Sequence, residues 1–117
     1  MTGSGSNGFQ ALERAVQAAA ACINLVSRTK NMPGDMSSQI TRAASSVPLN
    51  LAEGSGRAGK DRIHHFRIAY SSAREATTGI ELLVACGSIG RKDAAEALEL
   101  LDRTKAMTWR LIRPRGQ

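Results

Sequence analysis

Apolar and small residues recur at alternating steps of three and four along most of this chain, the spacing that places side chains on one face of an α-helix. The clearest stripe is in the third of four such segments: Ile63, Phe66, Tyr70, Ala73, Thr77, Ile80 and Val84. Breaks that contain glycine or proline separate the segments at residues 31–35, 54–56 and 87–90. Four amphipathic segments joined by short breaks predict an all-α fold, an antiparallel up-down-up-down four-helix bundle.

The expected helices cover residues 9–30, 37–53, 60–86 and 92–112, so that one bundle domain spans residues 9–113. Pro48 lies inside the second helix and predicts a kink there, because proline removes one backbone hydrogen bond. The seam expected for the first helix consists of Phe9, Leu12, Val16, Ala19, Ile23 and Val26. Residues 1–8, rich in Gly and Ser, predict a flexible tail, and residues 114–117 predict a basic tail.

A chain of 117 residues supports one domain with a modest core, which self-association would supplement. Cys22 and Cys86 lie in apolar helical stretches without metal-ligand spacing, which predicts two buried thiols in a reducing compartment. The sequence shows neither a basic-then-apolar leader nor an apolar stretch of the roughly 18 residues that a membrane span needs. These features predict a cytoplasmic protein.

The net charge of +6, from 16 Lys and Arg against 10 Asp and Glu, favours polyanionic partners. Cations dominate the end of the fourth helix, where no acid follows Asp102: Arg103, Lys105, Arg110, Arg113 and Arg115. A second set, Arg57, Lys60 and Arg62, lies at the start of the third helix. We expect both sets to contact RNA or DNA phosphates. The alternative is a solvated helix end that complements the helix dipole. We expect Trp109 to lie in the core or an interface rather than on a base.

Residues 54–60, GSGRAGK, match the start of a phosphate-binding loop, but Asp61 follows them and a helix rather than a strand precedes them. Adjacent His64 and His65 would point about 100° apart on a helix, which prevents joint metal chelation and predicts one packed and one solvated ring. No nucleophile with a nearby base and no Glu-x-x-His pair can be assembled. The sequence therefore predicts a protein that is not an enzyme and holds no metal or cofactor.

Residues 38–57, SQITRAASSVPLNLAEGSGR, resemble the signature of the bacterial four-helix bundle protein family that includes proteins encoded in 23S rRNA intervening sequences. The resemblance continues through the third helix to Gly87-Ser88-Ile89 and covers about residues 38–89. Motif positions with expected structural roles are Gln39, Ile40, Pro48, Asn50, Ala52, Glu53, Gly54, Ser55, Gly56, Glu75 and Thr78. Within the motif, we expect Asn50 and Glu53 to bond Arg42, Ser72 or Thr78 across the bundle.

The resemblance implies a ring-like homo-oligomer, a pentamer, and kinship with the basic accessory proteins of diversity-generating retroelements, which bind reverse transcriptase and nucleic acid. It also assigns residues 54–57 to an inter-helix turn, which removes the phosphate-loop interpretation. The implied partners are further copies of the chain, RNA or DNA and a reverse transcriptase, with no membrane. The alternative hypothesis is a scaffold or adaptor that binds protein only.

Overall fold

The structure is a computed structural model that describes residues 3–113, with side chains from residue 8 onward. Its helices are α1 (Gly3–Ser27), α2 (Met36–Ser55), α3 (Gly59–Ala85) and α4 (Arg91–Ile112), and no strand occurs in residues 3–113. Each helix packs against its neighbours in sequence, and α1 also packs against α4, which closes a square of antiparallel helices. The predicted all-α fold of four helices is confirmed.

The helix bounds differ from those expected mainly in α1. This helix begins at Gly3, inside the expected tail 1–8, of which residues 1–2 lie outside the described part of the chain. It ends at Ser27 rather than at Lys30, and just beyond this end the Thr29 hydroxyl donates to the Leu25 carbonyl (2.7 Å), which satisfies a carbonyl of the last turn. Helix α2 continues through Pro48. The expected basic tail 114–117 lies outside the described residues.

The core face of α1 consists mainly of small side chains, and the expected seam is correct for Ala19 and Val26 but wrong for Phe9 and Val16. Phe9 is 66% exposed and Val16 is 53% exposed. The buried positions, most of them small residues, are Ala11, Ala15, Ala18, Ala19, Cys22, Leu25 and Val26. Alanines at the contact let the α1 backbone approach its neighbours closely, and the bulkier side chains are thereby turned to the flank of the helix.

Glycines set the spacing between α2 and α3. A Cβ atom on Gly54 would lie 2.7 Å from Cε1 of the buried Phe66 ring and 3.1 Å from the Arg62 carbonyl oxygen. A Cβ atom on Gly79 would lie 2.8 Å from Cγ1 of Ile40. Gly54 therefore lies inside α2 as a packing residue rather than as the expected helix stop, and Gly79 permits a second close contact between the two helices.

The buried face of α4 includes two threonines among its apolar residues. Thr104 and Thr108 are buried, and each hydroxyl donates to the carbonyl four residues earlier at 2.7 Å. Lys105 is half-buried, and Trp109 is 50% exposed, so the expectation of a core Trp109 is not met. In residues 3–113, none of the four helices has an apolar stretch of the length required to cross a bilayer.

The two cysteines occupy opposite environments. Cys22 is buried in the core of α1, and this burial raises the pKa of its thiol to about 12. Cys86 is exposed just after α3, where hydrogen bonds with Ser88 lower the pKa of its thiol. The prediction of a buried thiol is therefore wrong for Cys86, because α3 ends at Ala85 and the turn carries Cys86 out of the core.

The Gly54→Ala variant should lose about 1–3 kcal/mol of unfolding free energy, because the new methyl group overlaps Phe66 and the Arg62 carbonyl. Urea unfolding followed by far-UV circular dichroism measures this loss. Gly56→Ala is the matched control, since its added Cβ would meet only the Glu53 carbonyl oxygen at 3.7 Å. Equal stability of the two variants would contradict the close approach of α2 and α3.

Alkylation of the native protein by iodoacetamide should modify Cys86 and spare Cys22. The thiolate is the reactive form. Hydrogen bonds with Ser88 favour it at Cys86, whereas burial suppresses it at Cys22. Mass spectrometry of the intact chain should show one adduct under native conditions and two in denaturant. If the folded Cys86→Ser variant still reacted rapidly with iodoacetamide, the assignment of Cys86 as the reactive thiol would be contradicted.

Candidate nucleic-acid interface

The antiparallel topology brings both predicted cationic sets to one end of the bundle. Helix α3 begins at Gly59 where α4 ends at Ile112, and these two helices are neighbours. Lys60 and Arg62 therefore share an end with Arg110 and Arg113, although some fifty residues of sequence separate the pairs. Arg115, the last member of the predicted set, lies outside the described residues.

Arg57 is bound by two acids and is removed from the set of available cations. Its guanidinium lies 2.7 Å from Glu53 Oε2 and 2.6 Å from Asp61 Oδ2. These bonds raise the pKa of Arg57, and the Arg57 hydrogen bond lowers the pKa of the Asp61 carboxyl. Because all three groups are solvent-exposed, the network adds little stability. Its consequence is that Arg57 holds the turn between α2 and α3 and is not placed to bind phosphate.

Two further predicted residues have partners within the chain. The Arg62 guanidinium lies 4.9 Å from the Phe66 ring centroid, and its Nη1 is 3.4 Å from the Ser55 carbonyl oxygen. Arg103 Nη2 lies 3.7 Å from Glu99 Oε2, one helical turn away. The Arg62 contacts tie α3 to the end of α2, whereas the exposed Arg103 pair is weak.

The structure adds Arg67 and Arg74, which the sequence reasoning missed. They follow Lys60 at steps of seven residues, which places all three on one side of α3 with about 10.5 Å between successive positions. All three side chains are exposed, and within residues 8–113 none forms an ion pair within 4.0 Å. The seven-residue spacing is visible in the sequence, but the predicted cationic sets were confined to the helix ends and did not include it.

Helix α4 presents matching cations to this side of α3. Trp109 lies beside Tyr70 with 5.6 Å between ring centroids, which marks where the two helices meet at the surface. Arg113 follows Trp109 by four residues and lies on the same side of α4. We call this surface the cationic groove and define it by Lys60, Arg67 and Arg74 of α3 with Lys105, Trp109 and Arg113 at the α4 end of the chain.

Two cavities lie along the cationic groove. The one at the bundle end has a volume of about 750 Å³ and is lined by Gly59, Lys60, Arg62, Ile63, His64 and Arg67. The second, of about 300 Å³, is lined by Tyr70, Arg74, Asp102, Lys105, Ala106 and Trp109. Asp102 is the one acid among these lining residues, so the groove as a whole is strongly positive.

The motif residues Asn50 and Glu53 have structural partners that differ from those expected. Asn50 Oδ1 lies 3.0 Å from His65 Nδ1, and its Nδ2 donates to the Ser46 hydroxyl at 3.0 Å. Ser72 in turn donates to the Ser46 hydroxyl at 2.8 Å. Glu53 bonds Arg57 instead of Arg42 or Thr78, because its side chain points to the turn rather than across the bundle. These bonds tie α2 to α3, with His65 half-buried and His64 exposed.

The remaining motif residues also serve the α2–α3 pair. Ile40 is buried, and the Ser55 hydroxyl donates to the Leu51 carbonyl at 2.8 Å. Gln39, Glu75 and Thr78 line a shallow cavity of about 420 Å³ between the two helices. Pro48 is half-buried and Ala52 is exposed. In the part of the chain that the structure describes, no three His, Cys, Asp or Glu side chains come together as a metal site.

Comparisons with known proteins agree with this architecture. The family model described as 23S rRNA-intervening sequence protein matches residues 8–110. A crystal structure of a protein with unknown function from the S23 ribosomal protein family of Bacteroides thetaiotaomicron has a TM-score of 0.84 and 22% sequence identity. The alignment covers 92% of this chain and 99% of that one, and it shows the fold. A comparison with curated proteins found no match. The extent of the family match, supported by the shared fold, establishes that this chain belongs to the 23S rRNA-intervening sequence protein family.

Proposed function

We propose that this protein is a non-enzymatic, homo-oligomeric module that binds the phosphate backbone of RNA or DNA in the cationic groove. The observation that carries the proposal is that Arg74 of α3 and Lys105 of α4 line one cavity in which Asp102 is the single acid, while Lys60 and Arg67 line a neighbouring cavity of α3 without an acid. The family name refers to an intervening sequence of 23S rRNA, and this association of the family with an RNA gene supports the proposal.

The form of the groove favours an extended polyanion over a single small anion. Lys60, Arg67 and Arg74 are spread along about 21 Å of α3, from two seven-residue steps at 1.5 Å per residue. A small anion would contact one of these side chains, whereas a nucleic-acid backbone can contact several. Exposed Lys and Arg side chains of this kind position phosphates without selecting a sequence.

A second, uncharged surface favours self-association. On α1 it contains Phe9, Leu12, Val16 and Ile23, and on α2 it contains Thr41, Ser45, Pro48, Leu49 and Ala52. Phe9, Val16 and Leu49, which is 67% exposed, leave apolar area in water that no other element within residues 3–113 covers. We call this the α1/α2 face and propose a second copy of the chain as its occupant. The expected assembly is the ring-like pentamer that the family resemblance implies.

The two surfaces lie on opposite sides of the square of helices. Asn50 and Ser72 belong to the α2–α3 contact, so the Pro48 and Ala52 side of α2 lies toward α1 and away from α3. Copies that associate through the α1/α2 face would therefore leave every cationic groove open. Several grooves in one oligomer would bind a continuous backbone more tightly than one groove, because later contacts become intramolecular.

The α1/α2 face also supports the second candidate, a scaffold that binds protein only. In that case the apolar face would hold a different protein, and the association would persist at high salt and after nuclease treatment. A reverse transcriptase as the partner stays a prediction of the family resemblance.

The Val16→Glu variant should shift the protein from oligomer to monomer, because it introduces a charge at the centre of the α1/α2 face. Size-exclusion chromatography with light scattering measures the mass. Leu82→Glu is the matched control, since Leu82 is equally exposed, at 53%, but lies on α3. A wild-type protein that is already monomeric at micromolar concentration would rule out the oligomer.

The double variant Arg67→Gln/Arg74→Gln should bind RNA and DNA more weakly and with less salt dependence. The slope of log affinity against log salt should fall in magnitude by roughly one for each lost phosphate contact, as fluorescence anisotropy at several salt concentrations would show. Arg28→Gln/Lys30→Gln removes the same charge at the opposite end of the bundle and should keep the wild-type slope. Equal losses of nucleic-acid affinity in both double variants would indicate that net charge, rather than the cationic groove, attracts the nucleic acid.

A further inference from the structure

Trp109 is placed unusually for the single tryptophan of a small bundle. Half of its surface is open to solvent, although indole is among the side chains that gain most from burial. Its ring leans on Tyr70 with centroids 5.6 Å apart and an angle of 47° between the planes. The Tyr70 contact restricts the indole on one side, so an open aromatic surface is held in a defined position.

The residues around the Trp109 ring suit a ligand that carries phosphate groups. The cavity of about 300 Å³ that Trp109 lines also contains Arg74 and Lys105. Along α4, Lys105 precedes Trp109 by four residues and Arg113 follows it by four, so a cation lies about 6 Å along the helix on either side of the indole. An aromatic surface flanked by cations within the reach of neighbouring phosphates is the arrangement that single-strand-binding proteins use.

We propose that Trp109 stacks on an unpaired nucleobase, so that the cationic groove holds a single-stranded segment of RNA or DNA. This inference rests on the proposed function and narrows its ligand. A duplex would offer its phosphates to the groove, but its bases are stacked on each other and cannot reach the indole. Every base has a π-face, so the contact selects unpaired nucleotides without selecting sequence.

The test uses the fluorescence of Trp109 as a direct reporter, since no other tryptophan contributes. Titration with an oligothymidylate or an oligouridylate of about 12 nucleotides should quench the emission in a saturable manner. An abasic strand of the same length should bind through its phosphates without quenching. An oligodeoxyuridylate of the same length separates DNA from RNA, because it differs from the oligouridylate only in the sugar.

Two variants test the stacking energetically, with labelled oligonucleotides followed by anisotropy. Trp109→Leu should weaken binding of the base-containing strands by about 5- to 150-fold and leave binding of the abasic strand within about 2-fold. Trp109→Phe retains an aromatic face and should recover most of the lost affinity. Far-UV circular dichroism of both variants checks that the half-exposed site tolerates the change.

Results that contradict the stacking of Trp109 can be told apart from results that contradict phosphate binding. Salt-sensitive binding without quenching, and with equal affinity for base-containing and abasic strands, would overturn the stacking and leave the phosphate-binding function standing. Absence of binding to any strand at low salt would overturn the proposed function itself. A Trp109→Leu protein that became monomeric while the wild type was oligomeric would assign the indole to a contact between copies and overturn the inference.

Discussion

The contact between Phe66 and Gly54 is the constraint on which the arrangement of α2 and α3 depends. The ring occupies space that a single methyl group on residue 54 would take, so the two backbones meet at a distance that only glycine allows. Gly79 and Ile40 repeat this contact near the other end of the helix pair. Two such contacts fix both the separation and the register of the helices, and the register brings Asn50 to His65 and Ser46 to Ser72.

That register also determines which side of α3 is available for binding. With Phe66 directed into the core and Ser72 toward α2, the positions of Lys60, Arg67 and Arg74 fall on the outer side of the helix, near α4. The end of α2 that carries Gly54 also supplies Glu53, and the first turn of α3 supplies Asp61; these two acids hold Arg57 and are themselves neutralised by it. The acids nearest the bundle end are thereby engaged, and the field of the groove is set by cations.

The small residues of α1 have a comparable effect on the opposite side of the bundle. Alanines at the core contacts, from Ala11 to Ala18, let α1 pack closely, but they leave Phe9 and Val16 on the flank. The chain thus gains a close helix contact and retains an apolar surface that one copy alone does not bury. An oligomer that covers this surface and a groove that remains open beyond it are compatible, because the two surfaces lie on opposite sides of the fold.

The sequence by itself determined the number, type and approximate positions of the helices, because apolar spacing and glycine or proline breaks are local properties of a chain. The same local spacing is seen in the core of α2, where Ile40, Val47 and Leu51 are buried at helical intervals. The sequence did not determine which part of the wide apolar arc of α1 faces inward, since that depends on how closely the neighbouring helices approach. The candidate site was predicted only in part: Lys60, Lys105 and Arg113 lie in the groove, whereas Arg57 is bound by acids and Arg67 and Arg74 were missed. Only the tertiary structure decides which cations remain available, because ion pairing and shared grooves depend on distances between side chains that are remote in sequence.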